Sequence, residues 1–269
     1  MHKLFIEIND TQFPIDTNSI VLDWFEKNKI ANQFYVNYDN HKIIVKQNFF
    51  SPVLEVPNVC RYIIKKENDS YIFVPFETRN PIFIESNFND NLINYREDIK
   101  DTIVLVLESP HYEEYNKLDF KPISPAQHKT GENIKTFLAE ILNKNKEELH
   151  LTKSEYRFII INPIPFQTSL NFLHKQPIRK KDSDDKSFVN LRNNVWNTLW
   201  LNNMSYKDSF ISNIKKLAPE IILNCCTSEL RDKVSLAIKE SDNNAIKYWT
   251  AHPSHWDKIK DEIKIFKIK

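Results

Sequence analysis

Three polar residues of different chemistry each follow an apolar stretch of the sequence. They are an acid, Glu108, an amide, Asn162, and an imidazole, His252. A carboxylate can stabilise a developing positive charge, an imidazole can donate to a leaving group, and an amide can pair with a polar ligand edge. Taken singly, each has a structural alternative: an ion pair with a lysine, a turn-forming asparagine and a turn-capping histidine. Their common position at the end of an apolar run favours a shared site.

The elements before these residues are predicted to be buried strands. The run 102–107, Thr-Ile-Val-Leu-Val-Leu, is typical of a strand that is buried on both faces, and Pro110 cannot continue a ladder. Similar runs at 156–162, 220–224 and 246–250 alternate with helical patterns, which favours a three-layer α/β domain. Parallel strands deliver their carboxyl ends to one edge, where open α/β sheets bind ligands.

The segment before residue 100 has a different pattern. Its short runs rich in Ile, Val, Tyr and Phe predict strands, and one helix is expected over 18–30. Polar residues at 87–94 and the Asn-Pro pair at 80–81 suggest a boundary. We therefore predict a β-rich N-terminal module over 1–95 and an α/β domain over 96–269.

The composition excludes several classes of protein. The chain of 269 residues has a formal net charge of +1, three cysteines and one glycine, Gly131. Glycine-rich dinucleotide and phosphate loops need several glycines, so no nucleotide cofactor is expected. The cysteines are too few for a disulfide framework or a zinc cage, and no stretch suits a membrane span or a signal peptide. We expect a cytoplasmic monomer without a metal or another cofactor.

Five short motifs in order resemble the uracil-DNA glycosylase superfamily over residues 102–260. They are Leu-Glu-Ser-Pro at 107–110, a helix opened by glycine at 131–142, Ile-Ile-Ile-Asn at 159–162, Leu-Ala-Pro before an aliphatic strand at 217–223, and His-Pro-Ser at 252–254. The resemblance implies a three-layer α/β/α domain around a central four-stranded, mainly parallel sheet. It also implies a DNA glycosylase that flips a base out of DNA and excises it.

The resemblance assigns roles to the three polar residues. Glu108 and His252 would be catalytic, because cleavage of an N-glycosidic bond develops positive charge on the sugar and negative charge on the departing base. Asn162 would pair with the edge of the flipped base. Phe166 is the expected stacking aromatic, with Phe120 and His128 as alternatives.

Four further residues are expected to contact DNA. Ser109 and Ser254 lie beside prolines in turns that would hold phosphates, and Lys129 precedes the helix that follows the first motif. Trp256 is either a wedge inserted into DNA or a packing residue. The loop at 179–181, Arg-Lys-Lys, is followed by acids and is interpreted as a solvated loop.

His111 makes a modified pyrimidine the expected substrate. The family carries a small residue there, or a tyrosine that excludes substituents at C5, whereas a histidine can hydrogen-bond a polar substituent. Hydroxymethylated or glucosylated phage cytosine is therefore preferred over plain uracil, which would suit antiphage defence. The alternatives are packing of His111 beneath the loop, a uracil-DNA repair glycosylase, a non-catalytic DNA-binding protein that retains the fold, and a nucleoside or nucleotide hydrolase.

Overall fold

The computed structural model describes residues 2–28, 35–75, 83–84, 99, 101–116, 119–170, 186–202, 206–259 and 262–268, and it has a mixed α/β fold. The strands are β1 (Lys3–Ile8), β2 (Thr11–Ile15), β3 (Val36–Asp39), β4 (Lys42–Val45), β5 (Asn58–Glu67), β6 (Ser70–Pro75), β7 (Phe83–Ile84), β8 (Thr102–Val106), β9 (Glu155–Ile161), β10 (Ile221–Asn224), β11 (Ile246–Trp249) and β12 (Phe266–Lys267). The α-helices are α1 (Ser19–Asn28), α2 (His128–Lys144), α3 (Lys186–Leu201), α4 (Tyr206–Leu217), α5 (Ser228–Glu240) and α6 (Trp256–Ile259).

The chain divides into two compact units, and each unit combines segments that are distant in sequence. The first unit comprises Met1–Val56, Ser109–Pro122 and Ile164–Tyr206, and the second comprises Pro57–Glu108, Ile123–Pro163 and Lys207–Lys269. These boundaries differ from the predicted division at residues 95 and 96. The predicted boundary segments at 80–81 and 87–94 lie outside the described residues.

A four-stranded mixed sheet belongs to the first unit. Its order is β2-β1-β4-β3, with β1 parallel to β4 and antiparallel to β2. Leu4, Ile6 and Ile8 alternate along β1 and are buried, as a strand with one covered face requires. Strand β2, which contains Pro14, was not predicted from the sequence; an edge strand tolerates proline because one side of its backbone needs no partner.

A larger mixed sheet belongs to the second unit. Its order is β12-β11-β10-β8-β9-β5-β6, and β7 also pairs with β5. The four strands β9, β8, β10 and β11 are parallel neighbours, whereas β5 is antiparallel to β9 and β12 is antiparallel to β11. The sheet is therefore larger and more mixed than the predicted four-stranded one. Strands β5 and β6, which we assigned to an N-terminal module, form part of it.

Burial on both faces of β8 confirms the prediction for the run at 102–107. Every residue of β8 is buried; Ile103 and Leu105 point into the main core, and Val104 lies on the other face. Helix α2 contributes Ile134 and Leu138 to the same core. Burying one aliphatic side chain of this size stabilises the fold by about 1.5–3 kcal/mol, so β8 and α2 are firmly held.

Candidate functional site

The carboxyl ends of four parallel strands meet at one edge of the large sheet. The register aligns Val106 with Ile161 and with Asn224, and Asn224 in turn with Trp249. The ladder continues one residue further, because the amide of Leu107 donates to the carbonyl of Ile161 at 2.9 Å. The residues that follow each strand therefore emerge at the same edge.

The strand order places a topological switch point beside β8. The chain passes from β8 to β9 on one side, and it later returns to β10 on the other side of β8. In open α/β sheets, ligands bind outside the carboxyl ends at such a point. A ligand-binding site is therefore expected at the residues that follow β8 and β10.

Glu108 is held at this switch point by the residue that caps α5. Both the backbone amide and the Oγ1 hydroxyl of Thr227 donate to Glu108 Oε2, at 3.0 Å and 2.7 Å. Only 6% of Glu108 is exposed, and the N-terminus of α5 adds its positive dipole end. Two converging donors and a helix terminus all stabilise a negative charge on the carboxylate.

The segment that carries Thr227 is itself fixed by hydrogen bonds to the ends of the strands. The side-chain oxygen of Asn224 accepts from the amide of Cys226 at 3.1 Å. The thiol of Cys226 lies 2.9 Å from the carbonyl of Leu107, directly before Glu108. These contacts connect the turns after β8 and β10, so the position of the Glu108 carboxylate is set by two strands.

Asn162 has a buried side chain whose hydrogen-bonding groups are unused. Only 8% of the residue is exposed, and neither Nδ2 nor Oδ1 bonds any other group in the part of the chain that the structure describes. Leaving a buried polar group unsatisfied costs about 1–3 kcal/mol. A turn-forming asparagine would bond nearby backbone, which this side chain does not do. The amide is therefore a candidate for ligand recognition.

His252 is fixed within its turn through one ring nitrogen. The backbone amide of Ser254 donates to Nδ1 at 3.2 Å, and the Ser254 hydroxyl lies 2.9 Å from the same atom. Because Nδ1 accepts a hydrogen bond, the neutral ring carries its proton on Nε2. Nε2–H is therefore the donor of the neutral ring.

Three residues that were predicted to contact DNA have partners within the protein. Trp256 is completely buried, and its Nε1 donates to the carbonyl of Ala251 at 2.8 Å, so the packing alternative is correct and the wedge is not. Lys129 forms a partly exposed ion pair with Asp257, with 3.1 Å between Nζ and Oδ2. Ser254 lies between His252 and His255, whose Nδ1 is 3.0 Å from the hydroxyl. Phosphate binding by Ser254 and Lys129 stays a prediction.

Ser109 and His111 belong to the first unit. The Ser109 hydroxyl bonds the Thr168 hydroxyl at 2.8 Å. The ring of His111 lies 4.4 Å from that of Tyr112, and its Nδ1 is 3.8 Å from a Glu113 oxygen. The His111 side chain is 44% exposed, so packing beneath the loop does not describe it.

Phe166, the expected stacking aromatic, is a core residue of the first unit. It is 1% exposed and meets Phe50 and Tyr206 edge-on, with ring centroids 5.9 Å and 5.6 Å apart. A ring with no accessible face cannot stack on a base, so this prediction is wrong. Of the two alternatives, Phe120 stacks on Tyr115, with 4.5 Å between the ring centroids. His128 is exposed at the start of α2.

Thr227 and Asn133 are functional candidates that the sequence analysis missed. Thr227 precedes Ser-Glu at the start of a helical pattern, which is an N-cap signal, but its pairing with Glu108 depends on the strand order. Asn133 lies on α2, and its side chain donates to the turn that contains His252. The Arg-Lys-Lys loop at 179–181 lies outside the described residues.

A separate cavity of 710 Å³ lies at the opposite edge of the large sheet. Its lining includes Glu220 and Ile246, which stand at the amino ends of β10 and β11, together with Lys215 and Asp242. Burial and the neighbouring Asp101 raise the pKa of Glu220, and Lys153 opposes this shift. The cavity is open to solvent, and the ligand-binding edge of a parallel sheet is the other one.

No protein-family model, curated protein or solved structure matches the chain. Across the described ranges, no three His, Cys, Asp or Glu side chains converge to hold a metal ion. In the same ranges, no helix combines the length and the apolar composition needed to cross a bilayer.

Proposed function

We propose that the chain is a DNA glycosylase that hydrolyses the N-glycosidic bond of a flipped-out pyrimidine and leaves an abasic site. One observation carries the proposal: a buried amide with unused hydrogen-bonding groups, Asn162, follows the strand next to β8, at the edge where Glu108 and His252 also emerge. Recognition of a nucleobase requires a donor and an acceptor side by side. Hydrolysis requires groups that stabilise opposite charges on sugar and base.

Glu108 acts on the sugar in this mechanism. As the glycosidic bond lengthens, positive charge develops on the sugar ring, and a carboxylate on that side stabilises it and orients the attacking water. Thr227 donates two hydrogen bonds to Oε2, so the carboxylate needs no reorientation during the reaction. Electrostatic groups that are oriented in advance contribute most to rate enhancement.

His252 acts on the departing base. Its Nε2–H donates to a base carbonyl oxygen, which gains negative charge as the bond breaks. The two Ser254 contacts at Nδ1 keep the ring in the required tautomer. A neutral donor stabilises the leaving anion without placing a cation near the sugar.

Asn162 selects the base. Its Oδ1 and Nδ2 offer one acceptor and one donor, which match the alternating pattern on the edge of a pyrimidine. Both atoms are buried without a hydrogen-bond partner among the described residues. A complementary base then satisfies the two unused groups, whereas a mismatched base leaves them unpaired.

A modified pyrimidine is the proposed substrate, in preference to plain uracil. Support comes from the residue type of His111, because an imidazole can hydrogen-bond a polar C5 substituent such as a hydroxymethyl or glucosyl group. Such bases occur in phage DNA, which suits a role in antiphage defence. A uracil repair enzyme and a non-catalytic DNA-binding protein are the competing functions, and the experiment below separates them.

The test compares base release from DNA that contains uracil, hydroxymethylcytosine or glucosylated cytosine, detected as alkali-labile abasic sites. Glu108→Gln should retain DNA binding but lower the single-turnover rate by about 10²–10³-fold, since only a charge is lost. Glu140→Gln, at an exposed position on α2, is the matched control and should retain the rate. Release of uracil alone would support the repair enzyme. DNA binding without release of any base would refute the glycosylase and leave the binding protein.

A further inference from the structure

Helix α2 contacts the turn that carries His252 through a buried side chain, Asn133. Asn133 is 7% exposed, and its Nδ2 donates to the carbonyl of Pro253 at 2.7 Å and to Asp257 Oδ1 at 3.2 Å. The carbonyl of Pro253 belongs to the residue next to His252. A short hydrogen bond to this atom fixes the backbone on which the imidazole is mounted.

The start of α2 is in turn fixed by an arginine from β5. Arg61 Nη1 donates to the hydroxyl of Ser124 at 3.0 Å, and Nη2 donates to the carbonyl of Ala126 at 3.1 Å. Gly131, in the first turns of α2, faces the same carbonyl so closely that an added Cβ would lie 2.0 Å from it. The contact between the helix and this loop is therefore too close to accept even one additional methyl group.

A β-bulge places Arg61 in this position. The register between β5 and β9 shifts between Cys60 and Tyr62, so Arg61 is the extra residue on its strand. Bulges redirect a side chain away from the regular ladder and are common near active sites. The bulge and the two hydrogen bonds of Arg61 therefore both indicate that its side chain is directed towards the loop before α2.

We propose that Asn133, anchored through α2 by Arg61, is a positioning residue for His252 and acts through the carbonyl of Pro253. The inference rests on the proposed function, in which His252 donates from Nε2. In this proposal β5, which the sequence assigned to a separate module, contributes to the geometry of the site through Arg61. Asn133 itself touches no substrate, so its effect must pass through the histidine.

The first measurement records the imidazole nitrogen signals of His252 in ¹⁵N-labelled protein without DNA, assigned by their loss in His252→Asn. Wild type should show a protonated Nε2 and an unprotonated Nδ1. Asn133→Asp, which replaces the donor with an acceptor, should shift or average these signals. Lys135→Ala, at an exposed position on the same helix, is the control: it keeps the contacts of Asn133 with Pro253 and Asp257, and it should leave the signals in place.

The second measurement is single-turnover base release. Misplacing a reacting group by about 1 Å costs up to ~10²-fold, so Asn133→Asp should slow release by roughly ten- to a hundredfold while DNA affinity stays within about twofold. In a His252→Ala background, an added Asn133→Ala should cause no further loss, because the effect passes through the missing imidazole.

Unchanged imidazole signals in both Asn133→Asp and Asn133→Ala would overturn the proposal. So would an equal slowing by Asn133→Ala with and without His252. If Asn133→Asp does not fold, Asn133→Ala serves for both measurements; if neither folds, the contact is structural alone and the proposal fails. Absence of base release by wild type would refute the glycosylase, and the imidazole signals would still decide the positioning role.

Discussion

Substitution of the only glycine tests how tightly α2 is docked, and the expected sign follows from comparing two effects. In an open helix, Gly131→Ala would stabilise the protein by about 1 kcal/mol through helix propensity. Here the new Cβ would lie 2.0 Å from the carbonyl oxygen of Ala126, whereas such contacts do not occur below 3.0 Å. The carbonyl or the helix must therefore shift by about 1 Å, and overpacking of this kind costs about 1–3 kcal/mol.

The shift also disturbs a second interaction. Ala126 O accepts from Arg61, and a hydrogen bond to a charged group is worth about 1.5–3 kcal/mol. Ala126 is already strained at φ 56°, so its backbone has little room to adjust. The losses exceed the gain in propensity, and we expect a net destabilisation of roughly 2 kcal/mol, or a fall in Tm of about 4–8 °C.

Calorimetric or urea unfolding measures the difference. Lys135→Ala, at an exposed position on the same helix, is the control and should change the stability by no more than about 0.5 kcal/mol. A Gly131→Ala protein as stable as wild type, or more stable, would show that the loop before α2 yields easily. That result would refute a rigid connection between Arg61 and α2.

Two further predictions concern the polar groups of the site. Thr227→Val removes the 2.7 Å hydrogen bond to Glu108 but keeps the backbone donor. Because a hydrogen bond to a charged group is worth ~1.5–3 kcal/mol, this variant should slow single-turnover base release by about 10–100-fold. The control Thr227→Ser should retain the rate. Asn162→Leu removes two unsatisfied buried groups and should raise the unfolding free energy by about 1–2 kcal/mol while abolishing base release. Lower stability of Asn162→Leu, with Asn162→Asp less stable still, would mean that the amide has a structural partner.

Buried strands were the part of the fold that the sequence predicted well. An apolar run such as that of β8 has few alternatives, and the ends of parallel strands must share an edge, so Glu108 and Asn162 could be placed together in advance. The sequence did not predict which strands pair with each other. β5 pairs with β9 across nearly a hundred residues of chain, and its alternating pattern does not specify which sheet it joins.

Aromatic residues near the motifs were predicted less well. Trp256 and Phe166 stand beside residues of the proposed site in sequence, which made them candidates for contact with DNA, but both are core residues. Their burial depends on neighbours that are remote in sequence, such as Tyr206 beside Phe166. Local sequence contains no signal that separates a stacking ring from a packing one.

The three polar groups differ in how the protein satisfies them, and the difference matches their proposed roles. Glu108 and His252 receive hydrogen bonds from Thr227 and Ser254, so the groups that meet developing charge are oriented before substrate arrives. Asn162 is left unsatisfied, at a cost of about 1–3 kcal/mol that only a complementary ligand removes. In the proposed mechanism, a base that cannot pair with the amide leaves that cost in place, which corresponds to a discrimination of about 5- to 150-fold. In the proposed mechanism, the satisfied groups would supply rate enhancement and the unsatisfied one would supply selectivity.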